Sequence, residues 1–156
     1  MNEPERACPR GRETVSLLRR LSAPLLSPTI SNRRMDIAKA NESLKAAENC
    51  YNSGLNNSSV SRAHYSMYQA AQAALEAAGI LRGEWTHAGL QATFANELTR
   101  RRKLYSAFLA RDLNVVQDLR HTADYRDSDI SRRQAARALA KASEFVGQIR
   151  KGLSHG

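Results

Sequence analysis

The chain has 156 residues, enough for one domain around a single core and too few for two of ordinary size. Its net charge of +9 is carried by 19 Arg and 5 Lys against 15 acidic residues. Arginine favours forked contacts to phosphate or carboxylate, so this balance admits a nucleic acid or an acidic protein as partner, and equally a solvated basic surface. No run approaches the roughly 18 apolar residues a membrane span requires. Cys8 and Cys50 show neither metal-ligand spacing nor a disulfide framework, which fits a reducing cytoplasm.

Residues 1–34 differ in composition from the rest. They hold all four prolines (Pro4, Pro9, Pro24 and Pro28) and seven arginines against three glutamates. The expectation is a basic, poorly ordered N-terminal extension, with one short helix around residues 14–21. It has no apolar region of signal-peptide type, and its glutamates argue against a transit peptide. A start-site extension ahead of Met35 is preferred over an RNA-binding arm.

From residue 29 onward there is no proline, and Ala, Leu, Gln, Glu and Arg bias the chain toward helix. Ile37, Ala40, Leu44, Ala47 and Tyr51 alternate steps of three and four, the face of a first helix that Gly54 ends. Ser58 or Ser59 is the candidate cap of a second helix reaching about Ala78, with Gly79 as its stop and Tyr65, Tyr68, Ala71, Gln72 and Leu75 on its face. Its run AAQAALEAA has side chains small enough for a neighbouring helix to come close. A third helix begins at Thr86–His87, carries Leu90, Phe94 and Leu98, and ends in the basic patch Arg100, Arg101, Arg102 and Lys103. That patch complements the helix dipole and is a secondary candidate for phosphate contact. A fourth, about Tyr105–Tyr125, presents Leu109, Leu113, Val116, Arg120 and Ala123, which sets Arg120 on or beside the apolar stripe. Ser131 caps a fifth with the clearest periodicity of the chain: Ala135, Ala138, Leu139, Ala142, Phe145, Val146 and Ile149. No strand pattern competes. The fold class is therefore all-α, an up-and-down antiparallel bundle of four to five helices over residues 35–152 with a tail at 153–156.

The stretch LRHTADYRDSD (119–129) concentrates charge and aromatic character. An arginine at Arg62, on the core side of the second helix, requires a carboxylate, and Asp124 is the candidate partner, forming an inter-helix clamp. His64, His87, His121 and His155 make no zinc pattern, and His121 with Asp124 lacks a third ligand, so no metal is expected. His87, at a helix start, is expected to bond the preceding loop. No Gly-rich phosphate loop, nucleophile elbow or kinase signature is present, and no cofactor is implied.

Five pieces in order, SLKAAENCYNSG, SRAHYSMYQAAQAALEAAG, THAGLQATF, LRHTADY and AKASEFVGQI, resemble the HEPN superfamily over residues 35 to about 152. They are similar in particular to its small prokaryotic members with an Arg-x3-Asp-Tyr variant motif, here Arg120 to Tyr125. The resemblance implies a helical bundle, commonly a homodimer, in a cytoplasmic protein. It further implies binding of RNA, a nucleotide or a partner protein, such as the minimal nucleotidyltransferase of a toxin–antitoxin pair. Many relatives are metal-independent ribonucleases whose active-site arginine is separated from a following histidine by four to six residues. After Arg120 that interval holds Tyr125, Arg126 and Asp127, and His121 sits directly beside the arginine. The spacing recurs at Arg82/His87 and Arg150/His155, as often as composition alone produces. The leading expectation is thus a binding protein with a degenerate ribonuclease motif and a groove formed by Arg62, Tyr65, His87, Asp124 and Tyr125. One alternative is a ribonuclease toxin using Arg120 and His121 across a dimer; a second is a non-catalytic scaffold.

Overall fold

The computed structural model describes residues 31–126 and 128–155, with side chains from residue 37 onward. The expected short helix at 14–21 lies outside the described residues. The chain forms α1 (Ser31–Asn52), α2 (Asn56–Ala77), α3 (His87–Thr93) running directly into a π-helical segment (Phe94–Arg101), α4 (Ala107–Tyr125) and α5 (Arg132–Ser154). Among the described residues there is no strand. α1 starts ahead of Met35, where the regular apolar pattern begins.

Local chemistry explains most of the helix ends. Gly54 and Gly79 adopt φ of +77° and +81°, the left-handed conformation that stops a helix without Cβ strain. After each, the next amide closes back on the last turn, Leu55 N–H to Cys50 O and Ile80 N–H to Leu75 O, both 2.9 Å. Thr86 caps α3 by accepting the Gly89 amide. Ser131 caps α5 with a reciprocal capping box to Gln134. The start of α2 differs from expectation: it lies at Asn56 behind Leu55, with no side-chain cap. Ser59 is inside the helix, buried, and donates to Ala47 O at 2.9 Å. Asn57 does the anchoring instead, accepting the Ile130 amide at 2.9 Å and donating to Asp129 Oδ1 at 3.3 Å.

α2 is the central helix, packed against α1, α4 and α5. Val60, Ala63, Met67, Ala70, Ala71, Ala74 and Leu75 are all buried, so it is enclosed on most sides and Tyr65 lies outside its apolar face. Within the alanine run, Ala70, Ala71, Ala73 and Ala74 are buried, and α1 packs along α2 with its Ala40 and Ala47 also buried. Phe94, Tyr105 and Phe145 form an aromatic core below α4, with Phe94–Phe145 centroids 5.4 Å apart. Ser61 bonds Asp124 near the α4 end while Arg102, just before α4, bonds Ala78 O, so α2 and α4 run antiparallel. Between them, residues 79–86 turn back along α2 until the Trp85 carbonyl accepts the Tyr68 hydroxyl at 2.8 Å. This return path delivers His87 to the middle of α2.

Candidate functional site

The C-terminal turns of α4 supply the charged centre. Arg120 and Asp124 are one turn apart, and Arg120 Nε donates to Asp124 Oδ2 at 3.1 Å. Ser61 Oγ donates to the other carboxylate oxygen, Oδ1, at 2.6 Å. The Arg120 side chain is only 17% exposed, so a carboxylate beside it is needed to offset its desolvation. The expected Arg62–Asp124 clamp is not formed. Arg62 is exposed, and among the described residues the ion pair of Asp124 is with Arg120. The reason is helical phase: Ser61 faces α4, and Arg62, about 100° further round, does not.

His87 closes the opposite side of Arg120. Its Nε2 lies 3.4 Å from Arg120 Nη1. A guanidinium only donates, so Nε2 is the acceptor and the ring proton resides on Nδ1. That Nδ1 is buried and has no partner, and His87 does not bond the loop before it as expected. Burial, then the positive charge of Arg120 and the neighbouring His121, hold its pKa below the usual histidine value. Tyr68 packs its ring 4.8 Å from that of His87. Burial, then Tyr65, raise the Tyr68 phenol, which remains a donor to Trp85 O.

Behind His87 sits His64, completely buried, with neither ring nitrogen partnered. Its ring centroid is 5.2 Å from that of His87. Burial, followed by repulsion from His87, Arg120 and His121 and only partly opposed by Asp124, lowers its pKa to about 3. From sequence, His64 is one of several scattered histidines. A signal for its burial is nevertheless present, since Val60, His64, Met67 and Ala71 fall on one stripe of α2 at helical spacing.

Toward solvent, Ser61, Tyr65 and Tyr68 share one stripe of α2, which places half-exposed Tyr65 between two residues that contact the opposite wall. On α4, the rings of exposed His121 and Tyr125 meet at a tilt, with centroids 5.8 Å apart. Ser61, Asp124, Arg120 and His87 are thus joined where α2, α3 and α4 meet, with Tyr65 on the same stripe of α2 as Ser61 and with His121 and Tyr125 on the last turns of α4. The basic patch does not join them. Arg100 and Arg101 are tied to Asn96 and Glu97 on the π segment, and Arg102 bonds Ala78 O at the far end of α2. A separate groove of about 770 Å3 lies between α4 and α5, lined among others by exposed Leu104 and Phe108. Among the described residues no cluster of three or more His, Cys, Asp or Glu could hold a metal ion, and no helix is long and apolar enough to cross a membrane.

A four-helix core with a short additional helix, and a charged end of α4 facing histidines of α2 and α3, defines a class, and comparison gives it a name. The chain belongs to the HEPN domain family, whose pattern matches residues 35–151. It is similar to the protein named "Putative toxin MJ0142" of Methanocaldococcus jannaschii, with 34% identity over 118 residues, covering 75% of this chain and 78% of the relative.

Proposed function

We propose that this HEPN protein binds single-stranded RNA or a nucleotide at the α2–α4 junction, with Arg120 taking a phosphate. The observation that carries this is the state of Arg120: Nε engaged by Asp124, Nη1 faced by His87, and Nη2 without a partner among the described residues. A guanidinium held in place on two sides keeps its remaining donors oriented for an oxyanion. The exposed rings of Tyr65 and Tyr125 suit base stacking, which is tolerant of sequence. The setting is a cytoplasmic homodimer, paired in a toxin–antitoxin system with a partner such as a minimal nucleotidyltransferase. The name of the Methanocaldococcus jannaschii relative, "Putative toxin MJ0142", supports the toxin part of that setting.

A second reading is a metal-independent ribonuclease in which Arg120 works with His121. Within one chain the two point about 100° apart, and exposed His121 lies tilted against the Tyr125 ring. Cleavage would therefore use His121 of a second copy facing Arg120 of the first.

The test is direct binding of a short single-stranded RNA. Arg120→Ala weakens it by about tenfold or more, the scale of one charge-assisted contact. Wild-type affinity in Arg120→Ala refutes the reading. RNA cleavage without metal, abolished by both Arg120→Ala and His121→Ala, favours the ribonuclease.

A further inference from the structure

We propose that His87 is a positioning residue for the phosphate-holding arginine: its neutral imidazole, through Nε2, fixes the Arg120 guanidinium from the side opposite Asp124. This rests on the reading of Arg120 as the phosphate contact, and it extends the site to a residue on another element.

The geometry has three parts. Arg120 Nη1 and His87 Nε2 are 3.4 Å apart, which is a long hydrogen bond that only a neutral ring can accept. An imidazolium there would set two cations against each other. Next, the surroundings hold the ring neutral. It packs against the rings of His64 and Tyr68 on α2, and on α4 it meets Arg120 with His121 nearby. None of these supplies a negative charge, and the Asp124 carboxylate is already divided between Ser61 and Arg120. Finally, His87 itself is held. Thr86 caps α3 immediately before it, and the Tyr68 hydroxyl ties the Trp85 carbonyl two residues earlier. Ser61, Asp124, Arg120 and His87 thereby form one hydrogen-bonded line joining α2, α4 and α3.

A side chain in this role acts as an acceptor, which separates it from a proton-transfer group. Gln places its carbonyl oxygen near the position of Nε2 and cannot exchange a proton near neutral pH, whereas Leu fills the space and accepts nothing. Binding of a fluorescent single-stranded RNA is measured for wild type, His87→Gln, His87→Leu, Arg120→Ala and the double variant Arg120→Ala/His87→Leu. His87→Leu weakens binding by about tenfold, His87→Gln stays within about threefold of wild type, and His87→Leu adds less than about twofold in the Arg120→Ala background. On the wild-type protein, 15N NMR of the imidazole reads the tautomer without any mutation and shows the proton on Nδ1 near neutral pH.

Wild-type affinity in His87→Leu alongside weakened Arg120→Ala overturns the His87 assignment and leaves the phosphate reading intact. The assignment also falls if His87→Gln is as weak as His87→Leu, or if the tautomer is Nε2–H or imidazolium. Undiminished binding in Arg120→Ala removes the phosphate reading, and this proposal with it.

Discussion

His64→Phe isolates the cost of keeping an unpartnered imidazole inside the bundle. The side chain is fully buried, neither nitrogen has a partner, and its folded pKa is about 3 against 6.5 in an unfolded chain. Above the unfolded value both states are neutral and stability does not change with pH. Below it the unfolded state takes up a proton that the native state refuses, so stability falls as pH falls toward the folded value. Each pH unit in that window costs about 1.4 kcal/mol, which integrates to about 2 kcal/mol at pH near 5. Phe keeps the ring shape beside His87 and Tyr68 and removes two buried polar atoms, each of which carries a desolvation cost of roughly 1–3 kcal/mol. Urea unfolding of both proteins at about pH 7.5 and pH 5 is the assay. His64→Phe matches or exceeds wild type at the higher pH and loses about 2 kcal/mol less on acidification. An equal loss in both proteins would show that His64 is charged or solvated in the native state, and the site's electrostatics would need a different origin.

Two further expectations concern the helical frame. Asn57→Ala removes both bonds that lock the start of α2 to the α4–α5 connection, and urea unfolding reads a loss of about 1–2 kcal/mol. Lys103 has φ of +51° just past the π segment, so Lys103→Gly relieves left-handed backbone strain and raises stability by about 0.5–1 kcal/mol, read as a higher Tm.

The five-helix order could be read from the sequence because local chemistry decides it. Gly54, Gly79, Thr86 and Ser131 each mark an end that depends on residues within a few positions. The π segment could not, because i→i+5 bonding leaves no periodic signature distinct from a helix carrying Leu90, Phe94 and Leu98. At the site, the share of Asp124 in an inter-helix contact was foreseeable but its partner was not. Ser61 and Arg62 are neighbours in sequence, and only the rotation of α2 about its own axis decides which of them faces α4. The His87–Arg120 contact was less accessible still, since it depends on residues 79–86 turning back along α2. Residues 33 apart, joined by an irregular path, leave no spacing to read.

RNA bound at the α2–α4 junction around Arg120 is distinguishable from RNA bound elsewhere on the basic surface. Photocrosslinking a 4-thiouridine-substituted single-stranded RNA to the full chain, followed by peptide mapping, separates the two most directly. Adducts at Tyr65, His121 or Tyr125, lost in Arg120→Ala, are the result this account predicts. Adducts confined to Arg100–Lys103 or to the α4–α5 groove around Leu104 and Phe108, unchanged by Arg120→Ala, would contradict it.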